Sequence, residues 1–493
     1  MKTTLSRFSI VFPLLILAVL CSGIVQAQPG QEKAVSVSKV ERKNKAPVSK
    51  EILRVKLPKP KEVTLDNGLT VLILEDHRFP TVNVRLDLTT AGALYEPSNM
   101  PGLASAAATL IREGTKTRNS RQIAEDVDRL GATLNAFTGF GATTTVINAS
   151  GLSDNLDEWF ALMVDVLLNP TFPADELEKY KARQKVLLKQ QRTQPSFLAN
   201  ERFSKAVYGN HPASVVAATE ESINSLSTET LAKWHAERYV PQGSILGIAG
   251  DVNANELIPK LKKWFAGWKK TDLKETLPPN PSPTTTKKIY LVDRPNSVQT
   301  TLTLGNIAID RVSPDYIPVT VMNRIIGGGP AARLFINLRE EKGYTYGVYS
   351  GISSGKYPGP WSASGDFRTD VTDGAMKELL YEINRIRTED VPEAELDETK
   401  RALVANFALS LEQPTQLLSY AVTQKTFRLP ADYWDTYPAK LMAVTAADVK
   451  RVATKYLNPE AMQVVAVGDG GKIKSVLEKY GPVEVYDTEG KMK

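Results

Sequence analysis

The sequence predicts an α+β protein made of two domains of one kind, each a mostly antiparallel sheet with helices packed on it. Three observations carry that prediction. Beyond residue 60 the chain runs on for about 430 residues, more than one hydrophobic core accommodates. Strand-period and helix-period segments come in groups, not in the strict βαβ alternation of a parallel sheet. Two distant stretches also echo one another: FPADELEKYKARQKVLLKQQRTQPSFLA from Phe172 and VPEAELDETKRALVANFALSLEQPTQLL from Val391. They place Pro173 and Pro392, and the pairs Gln194–Pro195 and Gln413–Pro414, at one offset of 219 residues. A second echo sets ERYVPQGSILGIAGDVN against TKYLNPEAMQVVAVGDGG, with Tyr239 matching Tyr456 and Gly250–Asp251 matching Gly468–Asp469.

Within the first copy, EVTLDNGLTVLILED (62–76) reads as a hairpin turning at Asn67–Gly68, because those two residues accept the positive φ of a tight turn. TVNVRLDLTTAG alternates as a strand. Leu103, Ala107, Leu110 and Ile111 keep helical spacing. A second helix follows in SRQIAEDVDRLG, with Ser120 as its expected N-cap. ATLNAFTGFGATTTVINAS is a strand pair, helices run over 156–168 and 174–191, and the strand GSILGIAG precedes the helix NELIPKLKKWF. The stretch 274–288, KETLPPNPSPTTTKK, has no apolar periodicity and reads as a linker, which divides the body into domains at 61–273 and 289–487.

The N-terminus carries its own message. MKTTLSRF is a basic n-region, SIVFPLLILAVLCSGIV an apolar core, and VQAQ a small-residue cleavage site after Ala27, so residues 1–27 are expected to be a secretory signal peptide and the protein to be exported, periplasmic or secreted. An anchoring lipid on Cys21 is the alternative. Cys21 is the only cysteine, which excludes a disulfide scaffold in the mature chain, and no later segment approaches the ~20 apolar residues of a transmembrane helix. The formal charge of +6 is not spread over the body: residues 28–60 hold nine Lys or Arg against three Glu, and the chain beyond them has a net charge of −2. That distribution argues against a nucleic-acid partner. Residues 28–60 are expected to be a basic, disordered tether, with a membrane-surface role as a second option.

The motifs LDNGLTVLI, PGLA entering a helix, EGTKTR, LGATLNAFT and GGGPAARLFINLREEKGYTYGVYSG make the chain resemble the pitrilysin/insulinase family of zinc metallopeptidases, in its small two-domain form, from about Lys61 to Val485. The resemblance implies the metallopeptidase LuxS/MPP-like fold. In catalytic members the helix after GLA carries His-x-x-Glu-His, whose two imidazoles four residues apart share a helix face and hold one metal, with the Glu beside it as proton acceptor. The matching positions here are Ser105, Ala108 and Thr109, with Ala106 and Ala107 between them. His77, His211 and His235 are the only histidines, none has another at ligand spacing, and no metal or cofactor is expected in this chain.

The family also uses an Arg and a Tyr seven residues apart, which match Arg339 and Tyr346; a guanidinium and a phenol donate hydrogen bonds to a peptide carbonyl and stabilise charge building on its oxygen. Gly343 is expected to end the helix of Arg339 so that Tyr346 falls on the next strand. Tyr344, placed on the same strand face, is the competing substrate-binding candidate. Gly327, Gly328 and Gly329 lack the pattern of a phosphate loop; they suit a turn where backbones come close, with a peptide-lining role implied by the resemblance. Arg333 reads as a helix surface charge.

Two functions are consistent with these residues. In the first, the chain is the non-zinc subunit of an exported heterodimeric peptidase, paired with a homologous zinc-bearing subunit and a peptide or unfolded polypeptide substrate. In the second it is an inert scaffold or peptide-binding protein. A hydrolase using other residues finds no supporting Ser, His and Asp arrangement, and a symmetric homodimer stays open.

Overall fold

The computed structural model describes residues 53–493, so the expected signal peptide and the first part of the tether lie outside the described residues. Among the described residues twelve strands form two six-stranded sheets. The first contains β1 (Lys61–Thr64), β2 (Thr70–Glu75), β3 (Thr81–Leu88), β4 (Thr133–Phe137), β5 (Thr145–Leu152) and β6 (Ile245–Gly250) in the order β1-β2-β6-β3-β5-β4. The second contains β7 (Lys288–Asp293), β8 (Gln299–Ile309), β9 (Thr345–Ser354), β10 (Pro358–Arg368), β11 (Gln463–Gly468) and β12 (Val483–Tyr486) in the order β12-β7-β11-β8-β10-β9.

Five strands correspond one to one, which is the repeat seen in the sequence. The sixth does not: β1 joins β2 antiparallel through the Asn67–Gly68 turn, where Gly68 has φ +88°, whereas β12 comes from the C-terminus and joins β7 parallel. The remaining pairs are antiparallel except β2–β6 and β7–β11, so each sheet is mostly antiparallel.

One face of each sheet carries its own half's helices. In the first half Trp159, Phe160, Met163 and Leu167 of the helix Leu156–Leu168 join Leu110, Ile111, Leu261 and Phe265 over Val71, Val84, Leu86 and Ile147. In the second, Val319, Met322, Leu379, Ile383, Val449 and Val452 cover Leu291, Leu302, Trp361 and Val464. The other face is covered by exchange. The helix Pro195–Tyr208, beginning after Gln194, lays Leu198, Phe203 and Val207 on Tyr290, Ile307, Val465 and Val467 of the second sheet. Its repeat partner, Pro414–Thr426, lays Leu418 and Val422 on Leu72, Leu74, Ile245 and Ala249 of the first. Bare backbone allows the approach: a Cβ on Gly247 would meet Leu418 Cδ1 at 2.8 Å.

Four details differ from the expectations. The second helix, Ser120–Arg129, is capped by Asn119 and not Ser120, in a reciprocal box with Gln122. The helix after Ala174 runs to Arg192. The tether was expected to reach residue 60, but Val55 and Leu57 pack against Phe407, Tyr433 and Trp434, and the Leu57 N–H donates to Asp435 Oδ1 at 3.0 Å. This strap leads from the second half's helices into β1. The linker carries no helix or strand until β7 starts at Lys288, yet it is tied down: Glu275 accepts from Lys356 Nζ at 2.6 Å and Tyr95 Oη at 3.0 Å.

Candidate functional site

The helix Leu103–Leu110 enters at Gly102, whose φ of +95° and a 2.9 Å clash between any Cβ and Ala218 leave room for glycine only. Its first turn is closed by Glu96, which accepts from Gly102 N at 3.0 Å and Ala104 N at 2.6 Å. Burial pushes this carboxyl up to about 7, against the pull of those two bonds. Ala106, Ala107 and Ala108 are completely buried. Ser105 is half-buried, while Thr109 is exposed and donates its hydroxyl to Ser105 O at 2.8 Å. Two hydroxyls and a buried methyl do not make a zinc ligand set. Among the described residues no three His, Cys, Asp or Glu side chains are grouped to hold a metal ion.

The histidines have other tasks. His77 meets Asp251 at 2.6 Å on the surface. His211 is buried between Tyr208 and Tyr357, its Nδ1 accepting from Ala213 N at 3.2 Å. His235 packs on Phe172 and Tyr239 and bonds Leu167 O at 2.7 Å; burial holds it down at about 4.

In the second half, Arg339 sits in a π-helical stretch, Ile336–Glu341, closed by the Lys342 N–H to Asn337 O bond at 3.0 Å. Gly343 follows at φ +63° and donates to Arg339 O, ending the helix as its sequence position indicated. The Arg339 guanidinium lies over the Phe335 ring at 4.8 Å, and its only ion-pair partner among the described residues is the neighbouring Glu340 at 3.5 Å. Tyr346 is 89% exposed on β9, the free edge of the sheet.

Tyr344 does not share its face. The strand begins after it, and a bulge between the Thr345–Phe367 and Val348–Gly365 pairs re-aims the chain, with Thr345 Oγ1 donating to Asp366 O at 2.6 Å. Tyr344 therefore packs into the second core, against Gly374, while Tyr346 stands in solvent. Gly327 is the point of close approach foreseen for the glycine run: it accepts from Ser350 N at 2.9 Å, and a Cβ there would lie 2.4 Å from Ser350 Oγ. Gly328 and Gly329 wrap the Arg324 side chain, whose Nη1 donates to Gly328 O.

Arg333 is not a surface charge; it is buried and forms a two-pronged pair with Glu395 at 2.8 Å on each side. Sequence reading also passed over Phe335 and Tyr349, whose rings meet at 5.5 Å beside Arg339, and Asn337 beneath it. Phe335 and Arg339 are four residues apart, which is the one local signal for their stacking. No hydrogen bond, ion pair or ring contact joins Arg339 or Tyr346 to the helix Leu103–Leu110 among the described residues.

Comparison with known proteins agrees with this architecture. Residues 70–219 match the family model "Insulinase (Peptidase family M16)" and residues 225–403 match "Peptidase M16 inactive domain". The chain is 26% identical over 360 residues to the uncharacterized zinc protease YmxG of Bacillus subtilis, covering 73% of this chain and 86% of that one. It is 27% identical over 419 residues to an uncharacterized zinc protease of Rickettsia bellii, covering 81% and 96%. Among solved structures, a peptidase M16 inactive domain from Pseudomonas fluorescens superposes with a TM-score of 0.78 at 26% identity, covering 83% of this chain and 98% of that one. The periplasmic protease PqqL of Escherichia coli shares the fold at a TM-score of 0.71 and 15% identity, covering 85% of this chain but 46% of that one. With both sheets, the exchanged helices and both domain matches in place, the chain belongs to the insulinase family, as a peptidase-like protein of the inactive-domain type.

Proposed function

We propose that this protein is the exported, non-zinc subunit of a two-chain peptidase, giving Arg339 and Tyr346 to a homologous partner that holds the zinc. One observation carries the reading: the Arg and Tyr stand on either side of the Gly343 helix end, exposed and without a long-range partner among the described residues, while Ser105, Ala108 and Thr109 supply no ligand set. A guanidinium and a phenol presented together suit a peptide carbonyl, to which both donate. The substrate is a peptide or unfolded polypeptide, and cutting belongs to the partner.

The test is co-expression with a homologue that carries the His-x-x-Glu-His helix, with zinc content and cleavage of a denatured polypeptide measured for each chain and for the pair. Only the pair should cleave. Arg339→Ala with Tyr346→Phe should lower kcat by at least tenfold, about 1.4 kcal/mol, without dissociating it. Unchanged turnover in that variant would leave a scaffold or peptide-binding protein, the second reading. Its support is the complete burial of Ala106 to Ala108, which is the packing of a plain core helix.

A further inference from the structure

The repeat makes one residue conspicuous. The exchanged helix Pro195–Tyr208 ends at Gly209, with φ +55°, and 219 residues later its partner ends at Arg428, with φ +51°. The two positions share the sign of φ, but Gly209 has ψ −120°, a conformation open to glycine and not that of a left-handed helix end. At Arg428 the bonds from Arg428 N to Lys425 O at 3.2 Å and from Leu429 N to Gln424 O at 2.9 Å close the last turn. Glycine is the residue this position favours, and the first half has it; a side chain with a Cβ is held here against its backbone preference. The backbone gains nothing from arginine at this point, so the reason lies in the side chain.

Arg428 lines a groove of about 620 Å³ between that helix and the strap entering β1, together with Lys59 and Lys425. Glu62 is the one acid in the lining, and it is paired with Lys425. The strap extends the charge. Val55 and Leu57 turn toward the aromatic cluster, while Arg54, Lys56 and Lys59 are exposed. Arg54, Lys56, Lys59 and Arg428 have no ion pair among the described residues. The nearby Asp435 is engaged by the Leu57 N–H. In sequence the strip continues into residues 28–52, with six Lys or Arg against three Glu, and these follow the apolar leader.

We propose that Arg54, Lys56, Lys59 and Arg428 form a docking surface for an anionic phospholipid bilayer, so that the body rests on the membrane by the end from which its N-terminal segment emerges. The phosphate-bearing headgroup is the chemistry recognised. Continuity with the basic tract and the leader favours a lipid surface over an acidic protein, because both place this end of the molecule next to a bilayer as the chain is exported. Exposed cations on long stems, spread along an open groove and the strap beside it, suit a fluid array of phosphates, each contributing through charge and not through a fixed geometry.

The test is co-sedimentation of the full-length chain with vesicles of phosphatidylcholine alone and of phosphatidylcholine with about one-third phosphatidylglycerol. Binding is expected only on the anionic vesicles and should fall away at high salt. Arg428→Gly with Lys59→Gln should weaken it on the order of tenfold or more. Arg428→Gly alone should leave the melting temperature unchanged or raised, because glycine takes a φ of +51° without the strain a side chain meets there, so weaker binding cannot be attributed to unfolding. Equal binding by the double variant would assign any affinity to residues 28–52 and overturn the surface proposed for the body. Equal binding to neutral vesicles, or capture by polyglutamate with none by vesicles, would overturn it as well.

Discussion

Asn337 and Glu382 meet at 2.9 Å, amide nitrogen to carboxylate oxygen, and the same nitrogen reaches Glu378 at 3.0 Å. One neutral amide thus sits between two acids on a single face of the helix Thr372–Thr388, beneath the π-helical turn of Arg339. Asn337→Leu keeps the volume and removes both donors. It should destabilise the fold by about 3 kcal/mol, and Asn337→Asp by more, because a third acid then enters a site with Glu382 2% exposed. Urea midpoints at constant slope measure this; midpoints equal to the wild type would show that the carboxylates find other donors.

His235 predicts an acid limb of stability. Burial holds its folded-state value near 4, below the ordinary 6.5, with the Leu167 carbonyl pulling it partly back. Above 6.5 both states are neutral and the stability is fully present; as the pH falls from 6.5 toward 4 the unfolded chain takes up the proton first, and stability is lost, on the order of 3 kcal/mol in all. His235→Gln, which retains a donor for Leu167 O, should flatten that limb between wild-type and variant unfolding curves. Parallel curves would place the proton uptake elsewhere.

The exchanged helices predict that neither half is complete alone. Phe203→Ala and Leu418→Ala each empty a contact between one half's helix and the other's sheet, and each should cost about 3 kcal/mol while unfolding stays a single transition. A fragment ending at residue 273 lacks the helix that covers Leu72, Leu74, Ile245 and Ala249. It should associate or bind a hydrophobic dye, and mixing with the complementary fragment should suppress both. A monomeric, dye-free fragment would show that the exchange is dispensable.

Glu96 predicts a local effect at the helix Leu103–Leu110. Glu96→Ala orphans the Gly102 and Ala104 N–H groups and should cost about 1–2 kcal/mol. Hydrogen exchange at Ala104 and Ala106 should accelerate well before the rest of the core. Uniform acceleration across both halves would mean that the cap supports the whole fold and not one turn.

The repeat, the Asn67–Gly68 hairpin, the strands and the helix 156–168 were legible because each rests on short-range chemistry: turn residues, period-two alternation, apolar spacing. The capping residue was missed by one position because Asn119 and Ser120 are both good caps, and only the Gln122 side chain decides between them. The exchange was invisible for a different reason. Pro195 and Pro414 announce helix starts, but nothing within a helix names the sheet it covers, and the partners of Phe203 and Leu418 are far along the chain. At the candidate site, Arg339, Gly343 and Tyr346 follow local rules, whereas the separation of Tyr344 from Tyr346 depends on a bulge set by Asp366 and Phe367 of the neighbouring strand.

β1 and β12 arrive from opposite ends of the polypeptide, yet each lies as the outermost strand beside β2 or β7. These two short strands thus lie over backbone of β2 and β7 that another molecule's strand would otherwise find unpaired. Clipping the protein past Thr64, or stopping it before Val483, would remove little of either core and still convert it into something adhesive. A protease acting at either end would therefore yield aggregates before it yielded unfolded chains.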